Sequence, residues 1–366
     1  MPNSTDFTII GGGISGLLTA LELSRAGAAV TILEKNHIGR ESSWAGGGIL
    51  LPLYPWRQDP AITTLVAQSL QLYPAMTEQL LETTGIDPEL IVSGLLITQN
   101  PDYDAAVDWC QDNHFPCQNP GPAMLEPFNC NFLQPLWLPG ICHIRNPRLL
   151  KALKQELLTR QVHFLEECNI NGLEQHHDRV QSLLTSYGKL PVQQLILAAG
   201  AWSAQLWESL LLQTGGPRPD IFPVKGQMLL FAGRPGMLQH MILDNDQYLI
   251  PRKDGRILAG SSVEHSGFDK QTSTEARKRL QDFATQLFPA LADCPMIDHW
   301  AGLRPGTRHG IPYIDRHPLM ENLSINAGHF RNGLAMGPAS AQLLVDLLIG
   351  RTPSIDPAPY RFDALH

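Results

Sequence analysis

Residues 6–35, "DFTIIGGGISGLLTALELSRAGAAVTILEK", read as strand, glycine turn, helix and strand. Phe7 to Ile10 is a short apolar run that suits a buried parallel strand. Leu17, Leu18, Leu21 and Leu23 recur at helical spacing, Gly27 follows as a helix stop, and Val30 to Leu33 supply a second strand. Gly11, Gly13 and Gly16 satisfy G-x-G-x-x-G, which makes the turn tight, lets backbone approach a pyrophosphate and packs helix against strand. Phosphates would rest on the helix N-terminus, where unpaired N–H groups and the dipole favour anions.

Glu34 ends the second strand, 18 residues past Gly16, where a carboxylate can accept hydrogen bonds from adenosine ribose hydroxyls and repel a 2′-phosphate. The motif so far fits NAD or FAD and speaks against NADP. Residues 39–56, "GRESSWAGGGILLPLYPW", add Ser42, Ser43 and the run Gly46, Gly47, Gly48. A second glycine cradle suits a permanently held flavin, which needs backbone close to both pyrophosphate and ring.

The rest of the chain bounds the class. With 366 residues it exceeds one ordinary core, so two lobes or one large α/β domain are expected. A net charge of −8 without Lys/Arg runs gives no electrostatic reason for nucleic acid or an acidic membrane surface. Six cysteines lack metal-type or C-x-x-C spacing, which reads as unpaired thiols in a reducing compartment and no metal site. No basic residue precedes the first apolar stretch, and Glu22 and Arg25 interrupt it, so a cytoplasmic protein without signal peptide or membrane span is expected.

Beyond the first fifty residues the chain alternates between two lobes. "RNPRLLKALKQELLTRQVHFLEECNI" (145–170) and "VQQLILAAGAWSAQLW" (192–207) return to helix and buried strand, whereas "QYLIPRKDGRILAGSSV" (247–263) is a hairpin signal around Lys253–Asp254–Gly255. Gly337–Pro338 reads as a helix start and Gly350 as its stop. The expectation is an α/β fold. A Rossmann-type FAD-binding domain (1–85, 142–218 and 305–366) interleaves with an α+β substrate domain (86–141 and 219–304) built on an antiparallel sheet.

Taken together, the glycine motif with Glu34, "ESSWAGGGIL", "AAGAWS", "PVKGQM", "YLIPRKDGRILAGSS", "WAGLRPGTRHGIPYID" and "AGHFRNGLAMGPAS" occur in the order found in FAD-dependent amine and D-amino-acid oxidoreductases. The combination resembles the glycine oxidase branch, which serves thiamine thiazole synthesis, over nearly the whole chain. This resemblance implies that Arg304 binds the substrate carboxylate, that Tyr248 assists it and that Arg331 is a second active-site arginine. It also implies FAD contacts at Gly11, Gly13, Ile14, Ser15, Gly16, Glu34, Lys35, Ser42, Ser43, Gly47, Gly48, Ile49 and Ile170. Further contacts are implied along His329, Phe330, Arg331, Asn332, Gly333, Leu334 and Ala335. Relatives suggest a homotetramer. Asp246 and Val263 depart from the pattern, where one member type has histidine and methionine, and bear on pocket size, which is expected to depend on packing of residues 86–141. Lys225 is read as marking a crossover between lobes.

The chemistry expected is oxidation of glycine, and of sarcosine or small D-amino acids, to an imine that hydrolyses to a 2-oxo acid and ammonia, with electrons passing to oxygen. A guanidinium holding the carboxylate through two parallel hydrogen bonds fixes the α-carbon without touching it. No general base is evident. No cysteine follows Cys294, so the flavin is expected to be non-covalent, unlike that of the sarcosine oxidase branch. Two other readings remain at this stage: an FAD-dependent dehydrogenase delivering electrons to a quinone, and a flavin-binding protein without turnover.

Overall fold

The computed structural model describes residues 5–100, 102–211 and 216–366. Positions 1–4, 101 and 212–215, which fall inside the expected lobe segments, lie outside the described residues. A six-stranded sheet has the order Tyr313–Arg316, Leu323–Ala327, Gln194–Leu197, Phe7–Ile10, Val30–Leu33 and His163–Leu165. All its pairings are parallel except that of the first two strands. Ile9 stands beside both Ile32 and Ile196, and none of the three has any exposure, as a parallel sheet covered on both faces requires. The helix Ile14–Arg25 leaves the glycine turn and buries Leu17, Leu18 and Leu21.

The second large sheet has seven strands, in the order Met296–Gly306, Phe222–Ala232, Arg256–Gly260, Gln247–Pro251, Met241–Asp244, Leu95–Ile97 and Leu136–Leu138. It is antiparallel apart from the pair Met241–Asp244 with Leu95–Ile97. Residues 86–141 therefore add its far edge. The helix Thr274–Leu287 covers one face, capped by Ser273, whose hydroxyl accepts from Ala276 N at 3.2 Å. A small three-stranded antiparallel sheet spans Ile170–His176, Arg179–Thr185 and Gly188–Pro191. Sequence pattern did not single it out, because its two outer strands are largely exposed and lack a clean apolar alternation.

One expectation is corrected. The last helix runs Gly333–Ile349, so it starts four residues before Gly337, with Pro338 inside it. An interior proline leaves the carbonyl four residues back without its N–H. Here that carbonyl, Leu334 O, accepts from Tyr73 Oη at 2.7 Å, and Ala339 N donates to Ser69 Oγ at 3.1 Å. Both partners come from the long helix Pro60–Thr84, so tertiary packing removes the reason for the helix to stop at proline. Gly350 does close it, at φ +75°.

Candidate active site

One cavity of about 610 Å³ runs from the glycine turn to the antiparallel sheet. At the first end the glycines are dictated by backbone contact. A Cβ on Gly11, at φ +111°, would lie 2.3 Å from Ala198 O, and one on Gly16 would lie 2.0 Å from Gly11 O. Glu34 stands at the cavity edge with Oε2 accepting from Gly12 N at 2.8 Å and Oε1 from Asn36 N at 2.9 Å. Each oxygen keeps acceptor capacity for a ribose hydroxyl. Ser43 Oγ accepts from Ile14 N at 2.9 Å and so closes the first turn of the helix.

The run Gly46–Gly48 is stapled rather than loose. Asn146 Nδ2 donates to Ser43 O at 2.9 Å, Ile144 N to Gly48 O at 2.9 Å and Arg252 Nη2 to Gly47 O at 2.7 Å. On the opposite wall, Phe330–Asn332 form a short 3₁₀ turn leading into the helix that begins at Gly333. His329 anchors that turn. Ser340 Oγ donates to Asn326 Oδ1 at 2.6 Å, which makes His329 Nε2 the donor in its 2.7 Å contact with Ser340. Burial pushes His329 down to about 4, so the ring is neutral.

The far end holds the expected substrate residues. Arg304, on Met296–Gly306, lies over Gly226 of the neighbouring strand, where a Cβ would come within 2.1 Å of Nη2. Its Nη2 donates to Ser261 Oγ at 2.8 Å, and Nη1 to Ser262 O at 3.2 Å and Lys225 O at 3.3 Å. These are neutral acceptors. Among the described residues neither Arg304 nor Arg331 forms an ion pair with a carboxylate, and Arg331 Nε is buried without a partner. Burial and the neighbouring Arg331 charge lower Arg304 to about 10, so it remains a cation at neutral pH. Tyr248 points its hydroxyl at Met228 Sδ, 3.5 Å away. A cavity with two unneutralised guanidiniums calls for an anionic ligand.

Of the residues expected from sequence, all line this cavity except Gly16 and Ala335, which sit behind its wall. Asp246 and Val263 do not line it, and Val263 is 44% exposed. The expectation that residues 86–141 set pocket size is not met, since none of them lines the cavity. Trp202, Gly226, Met228, Ser261, Phe268 and Lys270 do so instead, and sequence reading had assigned them no role. Trp202 and Phe268 rings lie 5.8 Å apart, and Lys270 Nζ reaches Glu41 Oε1 at 2.8 Å, so these side chains frame the mouth. The sequence signal for Trp202, Gly226, Met228 and Ser261 was that they lie inside "AAGAWS", "PVKGQM" and "YLIPRKDGRILAGSS"; Phe268 and Lys270 lie in none of the quoted motifs. Lys225 is buried at the base of the segment that follows Ser262 and bridges Glu264 (3.3 Å) and Asp269 (3.0 Å).

Residues 6–347 match the model of the FAD dependent oxidoreductase family, and the chain belongs to that family. It is 43% identical to a glycine oxidase of Pseudomonas aeruginosa, over 96% of this chain and 97% of the relative. A bifunctional protein ThiO/ThiG of Synechocystis is 30% identical over 97% of this chain, which spans 53% of that longer protein. The crystal structure of glycine oxidase from Geobacillus kaustophilus superposes with a TM-score of 0.90 at 26% identity, covering 98% of each chain. FAD is the cofactor, and the cradle fits it: two glycine turns too tight for any side chain, a carboxylate at one end and two unpaired cations at the other.

Proposed function

We propose that the protein oxidatively deaminates glycine, together with sarcosine or small D-amino acids. Glycine, water and oxygen give glyoxylate, ammonia and hydrogen peroxide. The observation that carries this reading is Arg304, a half-buried cation without a carboxylate partner, facing the same cavity as the FAD cradle. When bound, FAD supplies the two-electron acceptor for the hydride leaving the α-carbon.

Arg304 receives the carboxylate in a fork, already aimed by Ser261, Ser262 and Lys225, and Tyr248 adds its hydroxyl on the same wall. Holding the carboxylate plane orients the α-carbon and lowers the entropic part of the barrier. Arg331 and the first turn of the helix from Gly333 stabilise negative charge that builds in the cavity during reaction. Among the described residues that line the cavity, the carboxylates and histidines are Glu34, His37, Glu41 and His329; none is given a base's role in this reading, and the amine reacts unprotonated.

The FAD lobe comprises 1–85, 142–218 and 305–366 and the substrate lobe 86–141 and 219–304, with Arg304, Tyr248 and Arg331 as the catalytic set. Non-covalent FAD, oxygen as acceptor, a homotetramer, a cytoplasmic location and supply of a thiamine thiazole precursor complete the reading. No helix among the described residues is long and apolar enough to cross a membrane. The test is anaerobic mixing with glycine or sarcosine: the flavin absorbance bleaches, and air restores it with one peroxide per glyoxylate. An unbleached flavin refutes the reading; bleaching without peroxide favours the quinone-linked alternative.

A further inference from the structure

Arg252 stands out because the catalytic account does not use it. It is 7% exposed, and among the described residues it has no carboxylate partner; its three acceptors are the neutral Gly47 O (2.7 Å), Ile144 O (3.1 Å) and His143 Nδ1 (3.0 Å). Burying a guanidinium without a counter-ion is unfavourable, so a residue of this kind is retained for what it holds. Burial and the Arg252 charge push His143 down to about 3, which keeps its ring an acceptor.

What Arg252 holds is the flavin end of the cradle. Tyr248, Ile250 and Arg252 follow at intervals of two along one extended segment and so share a face. All three meet Gly47: a Cβ there would lie 2.7 Å from Ile250 Cδ1 and 3.1 Å from Tyr248 Cε2, while Arg252 bonds its carbonyl. The segment that presents Tyr248 to the substrate is thus laid along the glycines that receive the ring. Asn146 completes the arrangement from the other side. It has no exposure, its Nδ2 is taken by Ser43 O, and its Oδ1 is buried in the cavity wall without a partner.

We propose that Arg252 is a positioning residue that fixes Gly46–Gly48 for the flavin half of FAD and ties that cradle to Tyr248. In the same arrangement, Asn146 Oδ1 is the acceptor kept for a hydroxyl or N–H of that half. This inference rests on FAD as cofactor and not on the choice of amino-acid substrate.

The experiment strips FAD from the purified protein and titrates the apoprotein with FAD and with ADP, which reaches only the Gly11–Glu34 end. In Arg252→Met, FAD affinity falls by roughly tenfold or more, while ADP affinity stays within about twofold. Arg252→Lys, which keeps the charge and an N–H donor group but not the fork, recovers part of the loss. Asn146→Ala weakens FAD about three- to tenfold, again without touching ADP. Unchanged FAD affinity overturns the proposal, and so does an equal loss for FAD and ADP, which would mark a general structural role. Should Arg252→Met fail to fold, the Lys and Ala variants decide on the same two ligands.

Discussion

The two ends of the cavity are built on different terms. At the nucleotide end, Gly11, Gly13, Glu34 and Ser43 come from one stretch of 33 residues, and Gly11 and Gly16 are fixed by backbone against backbone. At the substrate end, Met228, Tyr248, Ser261 and Arg304 come from separate parts of the chain, brought together by the register of an antiparallel sheet. Gly226 is constrained there too, but by a side chain, the Arg304 guanidinium. The first end leaves no room for a side chain at Gly11 or Gly16; the second can change its lining while the sheet stays intact.

The contrast breaks most sharply at Gly16. A branched side chain there would strike Gly11 O, so Gly16→Val is expected to yield protein without bound FAD, read as flavin absorbance per protein on purification. Retained FAD would show that the turn is softer than its contacts imply. At the other end, Arg304→Ala is expected to keep FAD and lower kcat/KM for glycine by roughly 10- to 150-fold, the equivalent of about 1.5–3 kcal/mol for hydrogen bonds to a charged group. An unchanged value would remove Arg304 from the site.

Proton linkage sharpens the comparison, because the cradle rests on two neutral histidines, His143 held down to about 3 and His329 to about 4. Below their ordinary value near 6.5 the unfolded chain takes up protons that the folded chain refuses. Stability is therefore full above about pH 6.5 and falls as pH drops toward 4, by up to about 1.4 kcal/mol per pH unit for each ring. Denaturant midpoints between pH 7 and 5 should show this fall, to which the lowered His240, His299 and His366 add, and His143→Gln, which keeps an acceptor for Arg252, should remove one ring's share of the slope. A flat profile would contradict buried neutral rings.

Smaller effects belong to the substrate end. Gly226→Ala pushes against the Arg304 guanidinium and is expected to raise KM for glycine roughly tenfold, about 1.4 kcal/mol, with FAD affinity unchanged. Phe268→Ala at the mouth is expected to shift the kcat/KM ratio of N-ethylglycine to glycine by only a few fold, the scale of one or two buried methylenes. No shift in that ratio would remove Phe268 from the substrate's path.

Legibility in the sequence followed the same division. The glycine turn, its flanking strands and Glu34 were readable because each depends on near neighbours, and the hairpin around Lys253–Gly255 for the same reason. The start of the last helix was misplaced because a proline rule is local, whereas the bonds that waive it come from Tyr73 and Ser69. Arg304, Tyr248 and Arg331 were reached through motif resemblance, since nothing in their spacing shows that sheet register and a distant turn bring them to one cavity. Trp202, Phe268 and Lys270 were missed because the mouth is closed by contacts such as Lys270 with Glu41, more than two hundred residues apart.

The central claim is that Arg304 holds a small amino acid's carboxylate so that its α-carbon faces the flavin. A crystal structure of the FAD-loaded protein with a small, non-oxidisable carboxylate tests it most directly. The account predicts both carboxylate oxygens within hydrogen-bond reach of Arg304, with the flavin ring between the Gly46–Gly48 cradle and the turn at Arg331. A carboxylate bound away from Arg304, or a ring lying outside that cradle, would contradict it.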